Sequence, residues 1–528
     1  MKASSSGRPE TRWRSLAWMG VVGLITVAVY GRSCGAPFQF DDYGVLAARE
    51  QGNLDTASQI IAYARTRVVP FATLGLNYWV GGEDPSGYHA VNLAIHLIAT
   101  WLVFGLALTL CQTPRLRGTW LAEARLPFAV AAALLFACHP IQVQAVTYVV
   151  QRASSMAAAF YIGSVLCYLR ARNAQVGSAA GRPALALLGS LVLALAAFLS
   201  KENAASLPLV IVSAEWVFYD RQGFLKQLVR LVPYLLLVLV IAVGWLILGT
   251  GRRGAKVTGS PSEQVAGLVR LMVFRANPEG DISPVEYLFT QATVIPRYLR
   301  LVVVPWGFNI DPDIAVEREL SPAVVGGLIF LAALFGCGLY AVPRWPVVGF
   351  GILWSFGALS VESSLLPIRD VMAEHRMYLA MPGIALAVGN GFAWLFVRRR
   401  TLALAAAVAV VAVLGTLTVQ RNELWRDPLA LWSDALAKSP NKARVHVNVG
   451  MALQSAGRFK EAIDRYCSAL AIDPKNRQAR SNLDIAVDEE AEGRLDSGEE
   501  IVFEAGELDG EGEGAELKVA PPDPCHPR

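Results

Sequence analysis

Apolar and polar positions along this chain are gathered into long blocks. Apolar runs of membrane-crossing length lie near 15–30, 90–110, 127–147, 153–169, 183–199, 203–219, 230–249, 322–341, 345–361, 377–396 and 401–419. Each suits a helix through a hydrocarbon layer about 30 Å thick. The pattern therefore predicts an all-α, polytopic membrane protein with about eleven transmembrane helices. The segment 290–306, "TQATVIPRYLRLVVVPW", is apolar but carries Pro296, Arg297, Arg300 and Pro305. It reads as an interfacial or re-entrant helix, because a span there would reverse the orientation of every later loop.

The short basic connections set the orientation, since Lys and Arg are retained on the cytoplasmic side. "MKASSSGRPETRWR", "TPRLRGTWLAEAR", "LRARNAQVGSAAGR", "DRQGFLKQLVR", "VPRWP" and "VRRR" alternate correctly if all are cytoplasmic. Residues 1–14 are then a cytoplasmic segment before an uncleaved first span, because "VYGRSCGAP" lacks a clear A-x-A cleavage pattern. The outer face collects the loop 31–88 with its acidic pair, the turns at "HPIQVQAVTYVVQR" and "SKEN", the loop and interfacial helix 250–306, "SSLLPIRDVMAEHR" and everything after 420.

The hydropathy period changes after 420. In 443–476, Gly450, Ala462, Tyr466, Ala469 and Pro474 fall as in a tetratricopeptide repeat. Trp432, Ala435 and Pro440 stand 34 residues before Tyr466, Ala469 and Pro474, and Asn448 recurs as Asn482. The region 420–487 is read as a short repeat domain needing a neighbour or a protein partner to cover its apolar faces. From 488 to 528 the chain is acidic with few aromatics, the composition of a disordered tail.

Composition agrees with this division. The chain is 54% hydrophobic and 17% charged with a mean hydropathy of +0.41, which excludes an ordinary soluble protein and offers nothing to nucleic acid. Its net charge of +4 averages basic connections against an acidic tail. Seven cysteines show neither CxxC nor metal-like spacing, so no disulfide framework or zinc site is expected.

The chemistry-bearing candidates are polar residues at span ends, where charge needs a partner or a wet cavity. "GAPFQFDDYG" places Asp41 and Asp42 together just after the first span. Such a pair can supply a general base, bind a divalent ion with Asp42 as ligand, or be solvated loop charge. Arg67, Arg152, Lys201, Arg297, Arg369 and Arg376 fall on the outer face with Glu202, Glu362 and Glu374. Several cations at one face suit a lipid-linked phosphate, although any one of them can be a snorkelling anchor. His139, before Pro140, and His375 are proton carriers or phosphate contacts, or else helix-end residues. His89 and His96 share a helical face and read as packing residues.

"FQFDDYG", "RTRVVPFATLGLNYWVGGEDPSGYHAVNLAIHL", "HPIQVQAVTYVVQR", "SKEN", "VIPRYLRLVVVPWGFN" and "EHRMYLAMPG" stand in this order before the repeat region. Over roughly 15–485 the chain resembles the transmembrane and tetratricopeptide-repeat O-mannosyltransferases and their bacterial relatives, of the GT-C class. The resemblance implies a GT-C-like transferase domain over 15–419 and a mannose or other hexose carried on polyprenyl phosphate. It also implies an inverting transfer to a hydroxyl of an extracytoplasmic protein or glycan. An acidic residue of the first outer loop is then the base or metal contact, which maps to Asp41 or Asp42. The six cations above, with His139, Glu202 and His375 as secondary contacts, would face the lipid phosphate. The repeat array is much shorter than in the eukaryotic enzymes, and the Ala- and Arg-rich composition points to a bacterial plasma membrane. En bloc glycan transfer, transport and a membrane-anchored scaffold are the competing readings. The charges sit at span ends and no clear inverted repeat appears, which disfavours transport.

Overall fold

The computed structural model describes residues 9–64, 67–219, 224–250, 282–364, 367–496 and Cys525. Among them there are helices and connections but no strand, so the chain is all-α, and its long apolar helices make it a multi-pass membrane protein. The sequence-predicted outer loop over 250–306 lies partly outside the described residues, as does most of the acidic tail.

All eleven apolar runs fall on helices. Five of those helices are long and apolar enough to span a membrane, or six if the bent pair Arg125–Cys138 and Pro140–Val146 is one span. The 53° bend of that pair sits where Pro140 follows His139, because proline removes a donor and clashes with the preceding turn. Pro183–Phe198 and Pro346–Leu359 are shorter than the sequence reading, and the 203–219 run divides into a 3-10 turn and Leu207–Phe218.

Contacts divide the chain into two units. The first comprises Met1–Phe308 and Ile314–Arg426, the second Asn309–Asp313 and Asp427–Arg528. In the first, Pro85–Leu110, Arg125–Cys138, Arg152–Gln175 and Met377–Arg398 pack on one another. Small residues allow close approach at such interfaces, as where Gly389 lies against Ala132. The region between the first two long spans is largely helical: Asp42–Glu50, Ala57–Ala64 and Val68–Gly81. It buries Phe38, Val45, Leu54 and Leu74 against Tyr88 and Val149. Asp84 caps the following helix by accepting from the Ser86 amide at 3.0 Å, and Pro85 fills its first position. Pro284–Val303 opens with a capping box formed by Ser283 and Glu286.

The second unit consists of Pro428–Lys438, Ala443–Ser455, Phe459–Ile472 and Arg477–Asp496 with the strap Asn309–Asp313. The last helix continues past 488, where the sequence reading places a disordered tail. The 34-residue pattern lies on these helices: Ala435, Ala462, Tyr466 and Ala469 are buried, and Gly450 faces the Tyr466 ring. Asp311 is clasped by Lys442 at 2.6 Å and by Arg444 at 2.7 and 2.6 Å. Burial pushes its carboxyl up, but Arg444 and Lys442 outweigh that and hold it below the usual range. Cys467 and Cys525 form a disulfide, which corrects the expectation that no cysteines pair. Spacing could not announce it, because the bond depends on the chain returning over a separation of 58 residues.

Candidate functional site

The first outer segment turns sharply at the acidic pair. Phe40 has φ of 47°, a left-handed backbone that bulky residues seldom adopt and that needs fixing by its surroundings. The fixing comes from both sides. The Asp42 amide donates to the Gln39 carbonyl at 2.9 Å, and the Gln39 amide donates to Asp42 Oδ2 at 3.0 Å. Asp42 Oδ1 accepts from the Val150 amide at 2.7 Å, and the Asp41 amide donates to the Tyr148 hydroxyl at 2.9 Å.

The pair is thereby divided. Asp42 is 2% exposed and uses both carboxylate oxygens to hold the turn, whereas Asp41 is exposed. Burial pushes the Asp42 carboxyl up to about 7 against the opposing pull of the backbone amides, and the Asp41 charge adds to the rise. Tyr148 packs on Trp425 with ring centroids 5.7 Å apart, and its hydroxyl also bonds the Asp41 side chain.

Three of the six predicted cations form one neighbourhood. Arg67 grips Glu202 through Nε at 3.2 Å and a second nitrogen at 3.1 Å. The charges of Glu202, Glu362 and Asp41 all raise its pKa, which puts Asp41 within electrostatic reach. Lys201 is buried, 2.8 Å from Glu362 Oε1 and 3.0 Å from the Ser154 hydroxyl. Asn203 donates to the other Glu362 oxygen at 3.2 Å. Burial pushes the Glu362 carboxyl up, but Lys201 and Arg376 outweigh it and hold it below the usual range. Arg376 donates to the carbonyls of Asp370 and Val371 and to the Tyr287 hydroxyl, all neutral acceptors. Its charge therefore adds positive potential to the cluster. His375 stands among Lys201, Arg376 and Arg67; its amide is held by Gln144, and its buried Nδ1 has no hydrogen-bond partner among the described residues.

The other predicted residues are placed differently. Arg152 is fully buried, donating to Asn92 Oδ1 at 2.6 Å, Thr73 Oγ1 at 3.2 Å and the Tyr88 carbonyl at 2.9 Å. Its guanidinium joins helices and has little left for a ligand. His139 accepts from the Ile141 amide through Nδ1 at 3.1 Å, so its Nε2 donates to the Val302 carbonyl at 2.9 Å. Both ring nitrogens are engaged, which fixes a neutral tautomer at a helix joint. Arg297 and Arg369 are exposed. Both Asp42 oxygens accept backbone amides, and the described residues contain no group of three His, Cys, Asp or Glu able to hold a metal ion.

Sequence reasoning missed Tyr148, Ser154, Asn203 and Tyr287, uncharged residues that position the charged ones. Pattern gave no signal for them, because their partners lie 75 or more residues away except at Lys201.

Beside the cluster lies an apolar cavity of about 570 Å³ between the 284–303, 322–344, 346–359 and 377–398 helices. Leu288, Leu299, Phe330 and Phe356 line its body, while Ser360, Ser363 and Ser364, flanking Glu362 in the chain, form its polar end.

Fold and site together define a polytopic helical membrane protein with an exposed carboxylate within electrostatic reach of a cationic cluster, and an apolar cavity alongside. The chain is similar to a protein O-mannosyl-transferase of Caenorhabditis elegans, F38B6.6, at 23% identity over 89% of this chain and 65% of that protein. It is similar to the human protein O-mannosyl-transferase TMTC4 at 27% identity, over 84% of this chain and 65% of the relative. A 103-residue stretch is 39% identical to Xenopus laevis protein O-mannosyl-transferase tmtc2, covering 11% of that protein. The chain thus spans slightly less than two thirds of the first two relatives' length. No family model matches the chain, and no solved structure does so.

Proposed function

We propose that the protein is an inverting membrane glycosyltransferase. It moves one hexose, mannose by analogy with the relatives' names, from polyprenyl phosphate to a hydroxyl of an extracytoplasmic protein. The observation that carries this reading is the division of the acidic pair: Asp42 locks the turn, and Asp41 is left exposed within reach of Arg67. Asp41 takes the proton of the acceptor hydroxyl as its oxygen attacks the anomeric carbon. The bond from that carbon to the phosphate oxygen breaks, and the electron pair leaves with the lipid phosphate. Arg67, Lys201 and Arg376 stabilise the charge that develops there, with His375 beside them. The polyprenyl chain lies in the 570 Å³ cavity, whose serine end adjoins Glu362. No step is routed through a metal ion.

The Cys467–Cys525 disulfide supports an extracytoplasmic second unit, because such bonds persist in oxidising compartments. That unit is proposed to be a short tetratricopeptide array that engages a protein partner. Composition supports a bacterial plasma membrane as its site.

The test is transfer from polyprenyl-phosphate mannose to an acceptor protein by purified Asp41→Asn and Asp42→Asn variants that remain monodisperse in detergent. Asp41→Asn should lose about a hundred- to ten-thousandfold in rate, the range a positioned general base supplies. Full activity of that variant would overturn the catalytic assignment.

A further inference from the structure

Three connections widely separated in sequence meet in a second pocket, of about 440 Å³. They are the stretch from Arg115 to Leu121, the stretch from Pro343 to Val347, and the end of the 377–398 helix. Among the described residues, the charged ones of its lining are Arg115, Arg344 and Arg398, with no carboxylate among them. Trp120, Trp345 and Trp394 add partly exposed rings.

The arginines divide the work. Arg115 donates to the carbonyls of Val217, Val342 and Pro343, tying two helix ends together as the wall. Arg344 lies over the Tyr340 ring at 4.1 Å and Arg398 over Trp394 at 4.6 Å. Both guanidinium groups are thus backed by aromatic faces, which orient them without neutralising their charge. Asn390, 3% exposed, supplies a neutral amide to the lining.

Depth identifies the ligand. Arg376 immediately precedes the Met377–Arg398 helix and Arg398 ends it. At 1.5 Å per residue its 22 residues extend about 33 Å, the thickness of a hydrocarbon core. The pocket therefore opens at the membrane face opposite the Arg376 cluster, at the level where tryptophan rings settle.

We propose that this pocket binds the phosphate headgroup of an anionic phospholipid, a role separate from the transfer reaction. Arg344 and Arg398 hold the phosphate oxygens, and the tryptophan rings pack on the glycerol and upper acyl chain. Basic pockets between transmembrane helices suit such headgroups, and guanidinium suits phosphate better than ammonium does.

Native mass spectrometry of the full-length protein in uncharged detergent tests this with phosphatidylglycerol and phosphatidylcholine of identical chains. Wild type should retain phosphatidylglycerol about tenfold more tightly, because both lipids offer the phosphate but the choline of phosphatidylcholine sets a like charge beside the arginines. The exposed double variant Arg344→Gln/Arg398→Gln should fall to the phosphatidylcholine level, while Arg344→Lys/Arg398→Lys keeps part of the preference. Transfer activity in phosphatidylcholine vesicles should be unchanged, which shows that the variants are folded. Equal retention of the two lipids by wild type would overturn the proposal. So would an unchanged preference in the glutamine variant, or displacement of phosphatidylglycerol by millimolar inorganic phosphate, which would make free phosphate the ligand.

Discussion

The Asp42 carboxylate receives the Val150 amide at 2.7 Å across 108 residues of chain. This bond ties the first outer segment to the connection after the bent helix. It buries Asp42 in the turn and leaves the neighbouring Asp41 exposed.

One consequence is a pH dependence of stability. The Asp42 carboxyl sits near 7 in the folded protein, against about 3.9 in an unfolded chain. Between these values the native state binds the extra proton, so this contribution to stability is complete below about pH 4 and is lost as pH rises through 7. Thermal unfolding in detergent from pH 4.5 to 7.5 should show a falling trend that Asp42→Asn flattens. An identical slope in the variant would remove Asp42 as its source.

The buried pair of Lys201 and Glu362 should respond asymmetrically. Glu362→Gln leaves a buried ammonium without its carboxylate and should cost about 3–5 kcal/mol. Lys201→Met combined with Glu362→Leu should cost much less than the sum of the single changes. Unfolding monitored in the same detergent gives the comparison, and additive costs would contradict the pairing.

Arg67 and Glu202 are 40% and 44% exposed, so Arg67→Ala should change stability by no more than about 1 kcal/mol. Under the proposed transfer reaction its effect should appear as a rise of about tenfold in KM for polyprenyl-phosphate mannose, roughly one charged hydrogen bond. Arg67→Lys should recover only part of it, because the bidentate fork is lost.

In the second unit, a Cβ on Gly450 would stand 2.5 Å from Cε1 of Tyr466. Gly450→Ala should therefore destabilise that unit by about 1–3 kcal/mol, and adding Tyr466→Leu should restore part of the loss. Limited proteolysis of the full chain between 427 and 496 reads both effects.

Maleimide labelling of unfolded but unreduced protein should spare Cys467 and Cys525 and reach the other five cysteines. Reductant should expose the pair, and Cys467→Ser should free Cys525. Labelling of both cysteines without reductant would exclude the disulfide.

The sequence by itself determined the helices, because burying backbone in hydrocarbon leaves an apolar block little choice but to close its own hydrogen bonds. It also located the polar motifs at span ends and the 34-residue pattern after 420, since each rests on local spacing. Tertiary structure alone sorted those motifs into roles. Asp41 and Asp42 are chemically identical in the string and differ only because Val150 and Gln39 fold onto one of them. Arg152 and Arg67 look alike as span-end cations, yet Asn92, Thr73 and Tyr88 consume the first, while the second sits half exposed against Glu202, within electrostatic reach of Asp41. These partners come from helices distant in sequence, so the hydrogen bonds and burial that assign each role exist only once the chain has packed.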